Sequence, residues 1–138
     1  KILGHYKSNH ISKSPIFGGR EIIYGETLKM IKECDYVITR NSTAISFAVL
    51  FKKPVIFVFS NQLVDDREAI ENIFGFSHLL GTSPINIDEK NLNIEALLDV
   101  DEKKYSRYIE LVLSSNSTKL SNSEIILQKF NINESPNV

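Results

Sequence analysis

Residues 34–58, CDYVITRNSTAISFAVLFKKPVIFV, decide the fold of this chain. Residues 36–39 and 54–59 are short apolar runs rich in β-branched and aromatic side chains, which is typical of buried strands. Between them, residues 41–51 begin with Asn-Ser-Thr, a favoured helix start, and then place apolar side chains at helical spacing. Two strands joined by a helix are normally parallel neighbours, because a parallel pair needs a crossover connection. The stretch therefore predicts a strand, a helix and a second, parallel strand.

The same alternation continues on both sides of this stretch. Before it, residues 1–5 and 21–24 are predicted strands, and residues 27–34 are a predicted helix. After it, the pattern predicts a helix that begins at residue 65 or 66, ends at residue 74 and is closed by Gly75. Strands separated by helices predict an α/β fold with a doubly wound, Rossmann-like parallel sheet that carries helices on both faces.

The C-terminal part of the chain has a different pattern. The last strand is predicted at residues 84–87, and after it the apolar spacing is helical. Residues 114–123 are rich in Asn and Ser, which indicates a linker before a final helix at residues 124–130. We therefore expect one α/β domain with a helical C-terminal tail over residues 1–130, followed by a frayed, disordered end at residues 131–138.

Composition restricts the classes of function. The chain has 138 residues, 42% of them hydrophobic, which suffices for one globular domain. It has 16 basic and 17 acidic residues and a formal charge of −1, so no broad positive surface for nucleic acid is expected. Cys34 is the single cysteine and cannot form an internal disulfide, which favours a reducing compartment such as the cytoplasm. No apolar run approaches the roughly 20 residues of a membrane span.

Polar residues follow four of the predicted strands. In open α/β sheets, ligands bind beyond the carboxyl ends of the strands, and we expect these polar groups to line a single cleft there. The four groups are His5-Tyr6-Lys7-Ser8-Asn9, Gly25-Glu26-Thr27, Arg40-Asn41-Ser42-Thr43 and Ser60-Asn61-Gln62.

The predicted helix start at Asn41 has the geometry of an anion site. The first amides of a helix have no partner within it, and the helix dipole places partial positive charge there. A phosphate could therefore bind against the amides of Ser42, Thr43 and Ala44, with the hydroxyls donating further hydrogen bonds. The alternative is that Asn41 or Ser42 only caps the helix, which is the commoner role of such residues.

These segments resemble the nucleotide-sugar domain of GT-B glycosyltransferases, especially bacterial capsule and surface-polysaccharide enzymes. Such families carry a strand, a short Ser/Thr-rich turn, a helix and a Lys-Pro strand, and Lys53-Pro54-Val55-Ile56 matches the last piece. Gly4-His5-Tyr6-Lys7-Ser8-Asn9 is similar to their His-Pro-Lys/Arg signature, except that Tyr6 replaces the proline. Tyr24-Gly25-Glu26-Thr27 before the next helix is a further likeness. A related pattern occurs in nucleotide-sugar 2-epimerases and poly-glycerophosphate transferases.

The resemblance implies the C-terminal, donor-binding half of an enzyme of capsular polysaccharide, exopolysaccharide or lipopolysaccharide biosynthesis. The partners would be a nucleotide-sugar donor and an N-terminal acceptor domain that precedes Lys1 and holds the general base, so this chain alone should be inactive. The resemblance implies that the protein uses no cofactor and no metal. It also implies a cytoplasmic protein that can associate peripherally with the inner membrane. The implied donor and phosphate contacts are His5, Lys7, Asn9, Asn41, Ser42, Thr43 and Ala44. The implied base or ribose contacts are Tyr24, Gly25, Glu26 and Thr27.

Two alternatives stay open at this point. A nucleotide-sugar 2-epimerase-like domain would use a similar phosphate site, but those relatives carry a glutamate pair after the turn, where this chain has Ile45-Ser46-Phe47-Ala48. A non-catalytic nucleotide-binding or assembly module would use the polar loops only as the borders of a small domain. The acidic residues Asp65, Asp66 and Glu68 are interpreted as a helix cap and not as a metal site. The chain has no Gly-x-Gly-x-x-Gly and no P-loop motif, which argues against a dinucleotide dehydrogenase and a P-loop NTPase.

Overall fold

From residue 22 onward, strands and helices alternate along the chain, as predicted. The structure, a computed structural model, describes residues 1–4, 17–89 and 93–113. The strands are β1 (Ile2–Leu3), β2 (Ile22–Ile23), β3 (Val37–Thr39), β4 (Val55–Phe59) and β5 (Ile85–Asn86). The helices are α1 (Thr27–Glu33), α2 (Ile45–Leu50), α3 (Arg67–Leu80) and α4 (Glu102–Tyr108). Short 3-10 turns occur at Asn61–Leu63 and Glu95–Leu97, and a π-type turn follows α4 at Ile109–Leu113.

All three strand pairs of the described residues are parallel, and for β3–β4 and β4–β5 the predicted helical connections required this. Strand β1 pairs with β2, and β4 lies between β3 and β5. The α/β class with parallel strands is thus confirmed. The described residues, however, form one two-stranded and one three-stranded sheet, where a single continuous sheet was predicted. No strand follows β5 within residues 87–89 and 93–113, in agreement with the helical pattern of that part of the sequence.

The hydrophobic core lies between the three-stranded sheet and the helices. Val55 and Phe57 of β4 are almost fully buried and belong to one cluster that includes side chains from all four helices. Because side chains alternate across a strand, Ile56, which is also buried, lies on the opposite face of β4. The four described helices thus pack on one face of this sheet. The predicted helices on the opposite face stay a prediction. The helical members of the core are Ile31, Ile45, Ala48, Val49, Ile73, Leu80, Tyr105 and Tyr108.

Helix α2 begins about one turn later than predicted. The backbone N–H of Ile45 donates to the carbonyl of Ser42 (3.1 Å), and the N–H of Ser46 donates to the carbonyl of Thr43 (3.3 Å). These bonds span three residues, so a tighter, 3-10-like turn precedes the α-helix. The buried side chains of α2 start only at Ile45, which explains why the α-helical part begins there.

Helices α2 and α3 end with the same backbone motif. After α3, the N–H of Thr82 donates to a carbonyl five residues back (2.9 Å) while Gly81 has a φ of +74°. After α2, the N–H of Lys53 donates to a carbonyl five residues back (2.8 Å) while Lys52 has a φ of +53°. Both endings are Schellman motifs, in which glycine is the usual residue at the left-handed position. At that position in α2, Lys52 instead forms an exposed ion pair with Glu102 of α4 (2.8 Å).

Helix α3 is longer than predicted, and the expected end at Gly75 is wrong. The helix runs through this glycine to Leu80 because Ser77 and Leu80 continue its buried face. An interior glycine costs only about 1 kcal/mol relative to alanine, which does not suffice to end a helix that packs over its whole length. The start is close to the prediction, since the Asp66 carboxylate accepts the N–H of Ala69 (3.0 Å) as an N-cap.

Two buried tyrosines attach α4 to the rest of the fold. The Tyr105 hydroxyl donates to the carbonyl of Lys53 (3.0 Å), at the junction of α2 and β4. The Tyr108 hydroxyl lies 3.2 Å from Oγ of Ser46, in the first turn of α2. Burial raises the pKa of Tyr105 to about 12. The two hydroxyls thus hold α4 alongside α2, one near each end of that helix.

Some predictions concern parts of the chain outside the described residues. They are the end of the first strand at residue 5, the linker at residues 114–123, the last helix at residues 124–130 and the frayed end at residues 131–138. The described part of the C-terminal region, residues 93–113, is helical or in turns, as predicted.

Candidate functional site

The carboxyl ends of three strands meet at one edge of the sheet. Thr39 at the end of β3 lies opposite Phe57, and Phe59 at the end of β4 lies opposite Asn86 at the end of β5. The polar segments that follow these strands therefore begin at the same edge of the sheet, and that they line a single cleft stays a prediction. These segments are residues 40–43, 60–62 and 86–88.

The turn Asn41-Ser42-Thr43 is open to solvent. All three residues are exposed, and Ala44 is half-buried at the start of α2. The N–H of Ala44 donates to Oγ of Ser42 (3.2 Å), so this amide already has a partner and is less available to a phosphate than predicted. The Ser42 hydroxyl accepts in that bond and keeps its own proton for donation. The alternative was that Asn41 or Ser42 only caps the helix; no side chain caps α2 itself, and of these two residues Ser42 accepts the N–H at the residue where α2 begins.

The turn after β2 leads into α1 at the residue where the helix was predicted to begin. Gly25 is exposed with a φ of +76°, a backbone conformation that glycine adopts without a steric cost. Thr27 is the first residue of α1 and does not cap it. The Glu26 carboxylate accepts a hydrogen bond from the Lys29 ammonium (3.2 Å), and this bond raises the pKa of Lys29. The side chain of Glu26 thus bonds within α1.

Gly4 and Tyr24 form a close contact at the ends of β1 and β2. The N–H of Gly4 donates to the carbonyl of Ile23 (2.9 Å), which aligns the two strand ends. A Cβ on Gly4 would overlap the ring of Tyr24 and would come within 2.7 Å of Cγ2 of Ile22. The absence of a side chain at Gly4 is therefore what lets the Tyr24 ring lie against the end of β1.

The edge also contains polar residues that were not predicted as site residues. The Asp88 carboxylate accepts the N–H of Asn61 (2.7 Å), and the Asn86 amide donates to Oδ1 of Asn61 (2.7 Å). Asn86 in turn accepts the N–H of Asp88 (3.1 Å). The signal for this network was present in part, because Asp88 directly follows the predicted strand at residues 84–87. The strand was predicted to reach residue 87, one residue too far, which concealed the polar turn.

The remaining predicted residues fall into two groups. His5, Lys7 and Asn9 lie outside the described residues. Asp65, Asp66 and Glu68 lie at the start of α3, where Asp66 is the N-cap. Within residues 1–4, 17–89 and 93–113, no three His, Cys, Asp or Glu side chains are grouped as metal ligands would be.

A surface cavity of about 580 Å³ lies on a different part of the molecule. It contains none of the predicted donor-binding residues and is very open to solvent, so we do not assign it to the site. The residues that line it belong to α4 and the turn after it: Glu102, Lys103, Ser106, Arg107, Glu110 and Leu111.

Among the helices of the described part of the chain, none has the length and apolar character needed to cross a membrane. Comparison with protein-family models, with curated proteins and with solved structures gives no match for this chain.

Proposed function

We propose that this chain is the donor-binding half of a GT-B-type glycosyltransferase, which transfers a sugar from a nucleotide-activated donor during synthesis of a bacterial capsular polysaccharide, exopolysaccharide or lipopolysaccharide. The observation that carries the proposal is the exposed Asn41-Ser42-Thr43 turn at the carboxyl end of β3 in a parallel α/β fold. Ligands of such folds bind at this edge. The resemblance of residues 1–59 to nucleotide-sugar domains supports a nucleotide sugar as the ligand.

The turn can stabilise a phosphate without a metal ion. The hydroxyls of Ser42 and Thr43 are donors, and the dipole of α2 adds partial positive charge at its start, where the amides of Ala44, Ile45 and Ser46 already have partners. Helix α2 has 6 residues, so its dipole is small and the hydroxyls should contribute the larger share. When the sugar leaves, negative charge grows on the phosphate, and donors already held in place stabilise that charge. The general base would belong to the acceptor domain.

An assembly module is the second candidate function, and the outer surface of α2 favours it. Phe47 and Leu50 are 38% and 52% exposed, on the side of α2 that faces away from the core. Neighbouring exposed apolar side chains are typical of a surface that contacts another protein or domain. A module of this kind would need no ligand at the strand ends, so nucleotide binding separates the two candidates.

The test is thermal unfolding of the chain with UDP, GDP, CDP or CMP. A ligand that binds only the folded state, at 100 times its Kd, stabilises it by about 2.7 kcal/mol, which raises the Tm of a domain of this size by roughly 10 °C. We expect such a shift with at least one nucleotide, and a smaller shift with the matching nucleoside, which lacks the phosphate. No shift with any of the four nucleotides would contradict the proposal and favour the module.

A matched pair of variants locates the binding site. Ser42→Ala combined with Thr43→Ala removes two hydroxyl donors, and hydrogen bonds to a charged group contribute about 1.5–3 kcal/mol each. We expect this variant to bind the nucleotide at least tenfold more weakly. Ser83→Ala is the control, because Ser83 is also exposed but precedes β5 at the opposite edge of the sheet. Equal nucleotide affinity in both variants would place the phosphate elsewhere.

A further inference from the structure

An apolar surface extends from α2 to the π-type turn at Ile109–Leu113. Phe47 and Leu50 are exposed neighbours on α2, three residues apart. The turn contacts α2, and its last three side chains are aliphatic and exposed. We call these five residues the α2 apolar surface: Phe47, Leu50, Leu111, Val112 and Leu113.

The turn lies along the side of α2 that carries Leu50. Oγ of Ser46 is 3.2 Å from the hydroxyl of Tyr108, the residue that directly precedes the turn. Residues four apart lie on the same side of a helix, so Leu50 shares the side on which Ser46 meets this segment. Single exposed apolar side chains are common on proteins, whereas a patch built from two neighbouring elements is typical of a surface that is covered by something else.

The last described residue of the chain belongs to this surface. It is Leu113, and residues 114–138 continue the sequence from there. Their densest apolar stretch is residues 125–130, where helical spacing would place Ile126, Leu127 and Phe130 on one side. A helix of this length is unstable in water by itself. The helix predicted at residues 124–130 therefore needs an apolar surface to pack against.

The predicted linker has a suitable length for this contact. Residues 114–124 separate Leu113 from the apolar stretch. A flexible linker of this length has a root-mean-square end-to-end distance of roughly 18 Å, whereas α2 is only about 9 Å long. A short tether of this kind gives the attached segment an effective concentration in the millimolar range, so even weak contacts suffice to keep it bound.

We propose that residues 125–130 fold back onto the α2 apolar surface and cover Phe47 and Leu50. The inference does not use the candidate nucleotide site, so it can fail while the proposed function stands, and the reverse. It also assigns the exposed side of α2 to a segment of the same chain, whereas the assembly module described above would need a second protein.

The absence of tryptophan from the chain allows an optical test. Phe130→Trp places a single tryptophan in the segment, and indole emission moves to shorter wavelength when the ring leaves water. We expect emission at short wavelength at every protein concentration, and emission close to that of free tryptophan when Leu50→Asp is added. Val64→Asp is the matched control, because Val64 is 55% exposed and Leu50 is 52% exposed, but Val64 follows β4 at the opposite edge of the sheet.

Three results of this experiment would overturn the inference. The first is emission like that of free tryptophan in the Phe130→Trp chain. The second is short-wavelength emission that Leu50→Asp leaves unchanged, which would place the segment elsewhere. The third is a shift to short wavelength that appears only as the protein concentration rises, which would assign the surface to a second copy of the chain.

Trypsin gives a second test in which the segment itself is not altered. Lys129 lies within the segment, and Lys119 lies in the predicted linker. We expect cleavage after Lys129 to be at least fivefold faster in Leu50→Asp than in the wild type, with equal cleavage after Lys119. Mass spectrometry at early times measures both rates, and thermal unfolding checks that the variant is folded. Equal cleavage after Lys129 in the two proteins would contradict the proposed contact.

Discussion

Two glycines of α3 show how backbone conformation decides the effect of a single residue. Gly81 has a φ of +74°, and a Cβ there would lie 3.1 Å from Cγ of Lys104 and 3.2 Å from Oδ2 of Asp101. Gly75 lies inside the helix, and a Cβ there would meet nothing within 4 Å. The first glycine is needed for the helix ending, whereas the second only loses entropy on folding.

The same substitution should therefore have opposite effects at these two positions. We expect Gly81→Ala to lower the free energy of unfolding by about 1–2 kcal/mol, the usual cost of a left-handed conformation for a residue with a side chain. Gly75→Ala should raise the free energy of unfolding by about 0.5–1 kcal/mol, since alanine is the better helix former. Urea denaturation of both variants beside the wild type measures the two changes. A shift of the same sign in both would contradict the assignment of Gly75 to the helix interior.

At the scale of the elements, α4 depends on a hydroxyl that is protected from ionisation. The folded state raises the pKa of Tyr105 from its ordinary value of 10 to about 12, because burial disfavours the phenolate. Between these two values, the folded state keeps a proton that the unfolded state releases. The contribution of this group to stability is therefore fully present below pH 10 and is lost as the pH rises towards 12.

This linkage predicts a pH-dependent difference between the wild type and Tyr105→Phe. Near neutral pH, the variant should be less stable by about 1 kcal/mol, because the carbonyl of Lys53 loses its partner. From pH 10 upward, the wild type should lose stability faster than the variant, so that the difference shrinks. Chemical denaturation between pH 7 and pH 11 measures it. A difference that stays constant over this range would show that Tyr105 titrates at an ordinary pKa.

The types and order of the elements followed from hydrophobic spacing, but two boundaries did not. The start of α2 was missed because Asn41-Ser42-Thr43 is a good capping sequence, and the sequence does not distinguish a cap from a preceding 3-10 turn. The end of α3 was missed because glycine commonly ends a helix, so Gly75 was taken as the end. The glycine that ends α3 is Gly81. In both cases tertiary packing, namely the burial of Ile45 and of Leu80, decided the boundary.

For the whole molecule, the parallel pairing of β3, β4 and β5 was predictable because helical crossovers join these strands, whereas that of β1 and β2 was not. The division into two sheets was not, since β1 and β2 pair over only two residues each, and such short strands carry little pattern. The meeting of residues 40–43 and 60–62 at one edge followed from the rule for strand ends. The contact between Gly4 and Tyr24 did not, because no spacing in the sequence relates a glycine to an aromatic ring 20 positions away.

If this chain binds the donor and the acceptor domain holds the general base, this chain alone should bind a sugar nucleotide without cleaving it. We expect the chain alone to bind a sugar nucleotide such as UDP-glucose or GDP-mannose, whichever carries the preferred base, and to release no free nucleotide above the buffer rate. Chromatography of the incubated donor measures the release, and equilibrium dialysis with the same sample measures binding. Rapid release by this chain alone would favour a hydrolase or an epimerase-like enzyme, since either would hold its reacting groups within one domain.

The attachment of α4 to α2 and β4 affects how the chain folds during its synthesis. Tyr108 and Tyr105 reach back over 62 and 52 positions to Ser46 and Lys53, and both tyrosines are part of the core. A nascent polypeptide can form its early strands and helices one after another as it leaves the ribosome. Its hydrophobic core stays incomplete until residues 102–108 have been synthesised. We expect the core side of α2, which includes Ala48 and Val49, to be less well covered during that interval and more prone to aggregation if synthesis pauses.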